Sequence, residues 1–171
     1  IKTAHRMRLR MGKTFEPAFA SLGVGVGRPR QRAQQRLAGR PALDLIVTLD
    51  DATSEVLSAF LVEEEGTAST FRALAEVFGR HGLPLSLYTD RGSHYFHTAE
   101  AGGKVDRACL TQVGRALDRL GVEHIAAYSP QARGRSERMF ETLQDRLTKE
   151  LALAKIGTLE AANAFIRDIY I

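Results

Sequence analysis

The sequence predicts an α/β domain built on a mixed sheet, and three observations predict it. Two apolar strands form a hairpin, helical and strand periodicities alternate after it, and 171 residues suffice for one sizeable core. The hairpin is Leu45-Ile46-Val47-Thr48-Leu49 and Val56-Leu57-Ser58-Ala59-Phe60-Leu61-Val62, joined by the turn formers Asp50-Asp51-Ala52-Thr53-Ser54-Glu55. Thr67 is the expected cap of a helix whose apolar stripe is Phe71, Leu74, Ala75 and Phe78, ending near His81-Gly82. A short strand, Leu85 to Thr89, then delivers Asp90 at its end, and residues 91–108 read as a polar loop. Leu110, Val113, Leu117 and Leu120 mark an amphipathic helix closed by Gly121, and residues 122–127 form another short strand. Ser129-Pro130-Gln131 opens a long helix with Phe140, Leu143, Leu147 and Leu151 along one face. A last helix begins near Thr158 and still runs at Ile171, which suggests a C-terminally truncated chain.

Charge divides the chain. Residues 1–43 hold 10 Lys/Arg and one acid, whereas residues 44–171 hold 14 Lys/Arg and 19 acids. The Gly/Arg/Gln-rich run from Gly23 to Arg32 has no evident periodicity, so residues 1–42 read as a basic, flexible arm ahead of a domain spanning 43–171. Such an arm suits a polyanion, because phosphate neutralisation releases counterions; a solvated tail explains it equally well. The Val24-Gly25-Val26-Gly27 run is not a phosphate loop, since no helical pattern follows it. The single Cys109 excludes an internal disulfide and a Cys-rich zinc site. No apolar run approaches the roughly 20 residues of a membrane span, and a cytoplasmic chain is expected.

Two segments carry the chemistry. In Thr89-Asp90-Arg91-Gly92-Ser93-His94, a carboxylate sits just past a strand, at the rim where open α/β sheets gather ligands. In Ser129-Pro130-Gln131-Ala132-Arg133-Gly134-Arg135-Ser136-Glu137-Arg138, Glu137 lies one turn into a helix, beside the apolar stripe. Carboxylates suit Mg²⁺, a hard ion that prefers oxygen ligands and keeps waters for substrate phosphates. Arg133, Arg135, Arg138, Arg146 and Lys149 share the Glu137 segment, and Arg91 follows Asp90; these basic groups could hold a DNA backbone. Each motif alone has a plainer reading, as a turn former or a helix-dipole partner.

Together the two motifs resemble the integrase catalytic core of retroviral integrases and insertion-sequence transposases. The ISNCY-like group is the nearest flavour, on Leu49-Asp50-Asp51-Ala52-Thr53, Tyr128-Ser129-Pro130-Gln131-Ala132 and Leu143-Gln144-Asp145-Arg146-Leu147. The resemblance covers roughly residues 43–157. It implies a ribonuclease H-like mixed sheet with flanking helices and an Asp-Asp-Glu triad binding two Mg²⁺ or Mn²⁺ ions. It further implies DNA nicking and strand transfer, transposon-end and target DNA as partners, possible self-association, and a chain at the nucleoid when DNA-bound. Asp90 matches the second Asp, Glu137 the Glu, and Gly134 the glycine leading into the Glu helix. Asp50 matches a common Asp that the family does not use as a metal ligand.

The family's first Asp belongs on a strand pairing with Leu45–Leu49, near residues 24–32. No Asp or Glu occurs between Glu16 and Asp44, and no strand is discernible there. Asp44, Asp50 and Asp51 are expected at the wrong end of the hairpin or in its turn. Residues 14–38 read as a scrambled segment of the kind a shifted reading frame produces, and the copy as inactive. A non-catalytic DNA-binding remnant and a ribonuclease H-like nuclease or resolvase are the alternatives. A two-carboxylate glycosidase fits poorly with the Arg-rich Glu137 helix and the lack of Trp. His94 and His97 could contact DNA or sit in solvent, His124 reads as a satisfied core or edge residue, and Tyr95 and Phe96 as core cover. Glu63-Glu64-Glu65 reads as a solvated hairpin end, and Glu141 as a residue that could assist Glu137.

Overall fold

The structure, a computed structural model, describes residues 21–27, 43–100, 103–128 and 134–171; residues 21–27, 134–141 and 144 are described as backbone alone. Five strands form the main sheet: β1 (Ser21–Gly27), β2 (Asp44–Asp50), β3 (Val56–Val62), β4 (Ser86–Thr89) and β7 (Glu123–Ala126). Their spatial order is β3-β2-β1-β4-β7. β1 pairs antiparallel with β2, and β4 pairs parallel with both β1 and β7. A two-stranded ladder, β5 (His97–Thr98) with β6 (Val105–Asp106), interrupts the segment expected as loop. The mixed α/β architecture is the one expected.

The strand at Ser21–Gly27 corrects the expected flexible arm and the expected lack of a first strand. It is the centre of the sheet, so the domain does not begin at residue 43. Its pattern has period 2 after all: Leu22, Val24 and Val26 alternate with Gly23, Gly25 and Gly27. Glycine is a weak strand former, but this strand is hydrogen-bonded along both edges, which satisfies its backbone without help from propensity. The remainder of residues 1–42 lies outside the described residues.

Four helices cover the sheet: α1 (Thr67–His81), α2 (Gln112–Leu120), α3 (Gly134–Leu153) and α4 (Leu159–Tyr170). On one face Leu45, Val47, Ala59 and Leu61 are buried under Leu143, Leu147 and Leu151 of α3 and Ala162 and Ile166 of α4. On the other, Leu57 and Leu87 pack under Leu74 and Val77 of α1 and Val113 and Leu117 of α2, and Ile46 and Phe60 pack with Ala73. Gly23, Gly25 and Gly27 pair with Leu49, Val47 and Leu45, which puts these positions on the α3/α4 face, where α3 crosses β1.

The helix ends follow their caps with one exception. Thr111 Oγ1 accepts from Gly114 N (3.1 Å), Thr158 Oγ1 accepts from Ala161 N (3.2 Å), and Gly121 closes α2 in the left-handed region at φ 75°. The N-cap of α1 is Gly66, not Thr67, and Gly66 N donates to Ser69 Oγ (2.9 Å). Its buried stripe is Thr70, Ala73, Leu74 and Val77, one step from the expected one, while Phe71 is 37% exposed. The small side chains at 69, 70 and 73 let the helix settle close to the sheet. In α2, Val113 and Leu117 are buried, but Leu120, and Leu110 just ahead of the helix, stay on the surface.

Candidate functional site

β1, β4 and β7 run parallel, so their C-terminal ends share one rim with the start of β2 and the end of β3. Asp90 follows the last residue of β4 directly and lies on this rim. Gly92 N donates to Asp90 Oδ1 (2.9 Å), folding the carboxylate over its own turn. Tyr95 N and Phe96 N both donate to Gly92 O (2.9 and 3.0 Å), which tightens the turn further. A Cβ placed on Gly92 would lie 3.1 Å from Asp90 Oδ1 and 3.0 Å from His94 Cε1, so glycine permits the close approach of these two side chains.

His94 and Glu65 depart from expectation. Instead of a solvated hairpin end, the Glu65 side chain is 6% exposed, and its Oε1 lies 3.2 Å from Nε2 of His94, itself 15% exposed. Glu63 and Glu64 are exposed as expected. The Glu65 amide donates to Asp44 Oδ2 (2.9 Å). Asp44 opens β2 beside the last residues of β1, which corrects the expectation that it sits at the wrong end: it shares the rim with Asp90. Asp50 does lie at the opposite rim, where it holds the β2–β3 turn through Ala52 N and Thr53 Oγ1 (3.0 Å each).

The β1–β4 register pairs Ser21 with Ser86 and Gly23 with Tyr88. Carried on by two residues, it sets Gly25 level with Asp90. The residue of β1 that comes level with Asp90 is therefore a glycine. Glu137 occupies the first turn of α3; where its side chain points lies outside the described residues, as do the side chains of Arg135, Arg138, Phe140 and Glu141 and the whole of Arg133. Lys149, well exposed, pairs with Asp145 (2.8 Å). Arg91 Nη1 donates to Gly103 O (2.9 Å) and its guanidinium lies 5.1 Å from the Tyr128 ring centroid, so it ties the β5–β6 segment to the rim. His97 is exposed on β5.

His124 is satisfied, as expected of a core or edge residue. Its Nε2 lies 2.9 Å from Thr89 Oγ1, and its ring stacks on Phe96 at 4.1 Å. Burial pushes its pKa down to about 4, because the charged imidazolium loses hydration there. The ring lines a cleft of about 300 Å³ whose walls include Phe96, Val105, Leu110 and Val122. Tyr95 is core cover, 2% exposed. The features that sequence reasoning missed here are Glu65, Asp44 at the rim and Gly25; the period-2 alternation in residues 22–27 was the available signal for the last.

Hard oxygen donors at the rim suit a divalent cation in type, but among the described residues no group of three or more His, Cys, Asp or Glu side chains could hold one. No helix among them is long and apolar enough to cross a membrane.

A parallel-stranded rim bearing Asp90, on a five-stranded mixed sheet flanked by helices, is the fold of integrase catalytic cores. The HTLV-2 integrase catalytic core domain in complex with magnesium superposes with a TM-score of 0.58 at 17% identity, covering 88% of this chain and 83% of that one. The simian T-cell lymphotropic virus intasome in complex with a PP2A regulatory subunit matches at a TM-score of 0.61 and 19% identity, covering 85% of this chain and 46% of that one. No family model matches the sequence. Two relatives carry transposase names: y4bF of Sinorhizobium fredii is 37% identical over 165 residues, covering 96% of this chain and 34% of that protein. The transposase for insertion sequence IS1202 of Streptococcus pneumoniae is 35% identical over 128 residues, covering 75% and 28%. The chain thus spans about a third of the length of these relatives. Fold and relatives together identify it as an integrase/transposase catalytic core.

Proposed function

We propose that this chain is the catalytic-core portion of a DNA transposase whose ancestral reaction is metal-dependent nicking and strand transfer. Asp90 and Glu137 are two of its three carboxylates, and they are the groups that would hold Mg²⁺ or Mn²⁺. The observation that carries the reading is the position of Asp90: it directly follows the strand next to β1, at the rim shared by three parallel strands. Ions there would stabilise charge on the phosphate oxygens. Lys and Arg of the α3 segment, together with the basic residues ahead of β2, would hold the DNA backbone. The relevant compartment is the cytoplasm, with the protein at the nucleoid when DNA-bound.

In this copy Gly25 stands where the first carboxylate is needed, and strand transfer is not completed. That same glycine favours a second reading, a DNA-binding remnant that competes with an intact transposase. The test is a nicking and joining assay with Mg²⁺ or Mn²⁺ on DNA carrying the terminal repeats of the encoding element. The chain is expected to bind this DNA with a steep salt dependence and to leave it uncut. Cleavage that disappears in Asp90→Asn would show an active site and overturn the inactivity. Failure to bind DNA at low salt would remove both readings.

A further inference from the structure

Thr89, the last residue of β4, is 1% exposed, and its hydroxyl has two partners. It donates to the main-chain oxygen of Asp90 (3.0 Å) and lies 2.9 Å from Nε2 of His124. A hydroxyl carries one hydrogen, and in the contact with Asp90 O the hydroxyl must supply it, because a carbonyl oxygen can only accept. For both contacts to be hydrogen bonds at once, the imidazole supplies the second hydrogen, with His124 as the Nε2–H tautomer and Thr89 its acceptor. The ring has little freedom to leave: Phe96 stacks on it at 4.1 Å with planes 22° apart, and Tyr95 meets it edge-on at 6.0 Å. The β4–β7 register pairs His124 with Leu87, which places its side chain on the same face as Thr89, two residues further along.

These contacts form one directed chain from His124 through Thr89 to the Asp90 carbonyl. At the other end of the same residue, Gly92 N holds Asp90 Oδ1. Asp90 is thus fixed from the strand by a hydroxyl and from the turn by an amide. A buried imidazole needs a partner for its N–H, and here that partner is the same hydroxyl that holds Asp90 O. We infer that His124 is a positioning residue for Asp90, acting through Thr89 to set the peptide that carries that carboxylate. Its value to the protein rests on the transposase-core reading of Asp90, whereas the geometric coupling does not.

The experiment is amide hydrogen exchange on the full 171-residue chain and its variants at neutral pH. Gly92 N–H reports the Asp90 turn, and Val47 N–H, in the interior of β2, reports the whole fold. His124→Phe keeps an aromatic ring against Phe96 but cannot donate; His124→Gln keeps a donor; Thr89→Val removes the relay at constant volume. His124→Phe and Thr89→Val are expected to lower Gly92 protection about tenfold with Val47 unchanged, the loss of one hydrogen bond of ordinary strength. His124→Gln is expected to stay within about twofold of the parent, since one N–H donor replaces another. Unchanged Gly92 protection in Thr89→Val, or equal losses in the Phe and Gln variants, would overturn the inference. If His124→Phe also loses Val47 protection, the Thr89→Val result decides alone. Mn²⁺ uptake followed by water-proton relaxation is read in parallel on the parent and Asp90→Asn. Uptake that ignores Asp90→Asn counts against the function reading and leaves the exchange result standing.

Discussion

The β1–β4 register, carried two residues past the paired Gly23 and Tyr88, sets Gly25 of β1 level with Asp90, the residue after β4. Neighbouring parallel strands lie about 4.8 Å apart, close enough for carboxylates at both positions to share a cation. Gly25→Asp is therefore expected to raise Mn²⁺ affinity at least about tenfold, as a further anionic oxygen ligand does for a hard ion. The gain should vanish in the Gly25→Asp/Asp90→Asn double variant. Calorimetric or relaxation titration reads both. If Gly25→Asp binds Mn²⁺ no better than the parent, residue 25 is not the vacant ligand position.

Much of this architecture was legible because local chemistry and tertiary context agree. The hairpin of β2 and β3 announces itself through apolar runs flanking Asp50, α2 through its apolar spacing and Gly121, and α4 through Thr158. Asp90 was legible because its strand is short and its turn needs Gly92. β1 was not, since alternate glycines lower its intrinsic strand preference and its stability comes from partners distant in sequence. Glu65 was misjudged for a similar reason: a run of three glutamates reads as solvated, and what buries the third is a histidine 29 residues later. The α1 stripe slipped because hydrophobicity favours Phe71, whereas close packing favours Ala73.

The Glu65–His94 pair joins the loop before α1 to the turn after Asp90, and both side chains are largely removed from water. Removing one partner leaves the other buried in a site shaped for two. Glu65→Ala is expected to lower unfolding stability by about 2 kcal/mol, and Glu65→Gln, which keeps the size but not the charge, by about 1 kcal/mol. Urea unfolding at pH 7 measures both. A loss below about 0.5 kcal/mol for Glu65→Ala would place this contact among ordinary surface pairs.

Asn163 of α4 caps the outer edge of β3 at Leu61. Its Oδ1 accepts from Leu61 N (2.7 Å), and its Nδ2 donates to Leu61 O (3.0 Å), as a neighbouring strand would. Leu61 is 1% exposed, so its backbone has poor access to water as a replacement partner. Asn163→Ala is expected to cost about 2 kcal/mol, two bonds of ordinary size. Asn163→Asp should cost at least as much at pH 7, because it keeps the acceptor but sets a carboxylate against Leu61 O. An Asp variant more stable than the Ala variant would show that the donated bond contributes nothing.

The pKa of His124, pushed down to about 4 by burial, makes the fold acid-sensitive in a defined window. The value for an exposed histidine is 6.5, so between pH 6.5 and about 4 the unfolded chain binds a proton that the folded chain excludes. The stability this residue contributes is complete above pH 6.5 and is lost as pH falls towards 4, by about 2 kcal/mol at pH 4.5. Carboxylates that line the same cleft, Asp106, Asp118 and Glu123, remain in both the parent and a His124→Phe variant, so their own titration cancels in the comparison. From pH 7 to 4.5 the parent is therefore expected to lose about 2 kcal/mol more in urea unfolding than His124→Phe. Titration of the His124 ring protons by NMR supplies the independent value. A midpoint near 6.5, or equal losses in the two proteins, would mean that the imidazolium is accommodated beside Thr89 and that His124 is not held neutral.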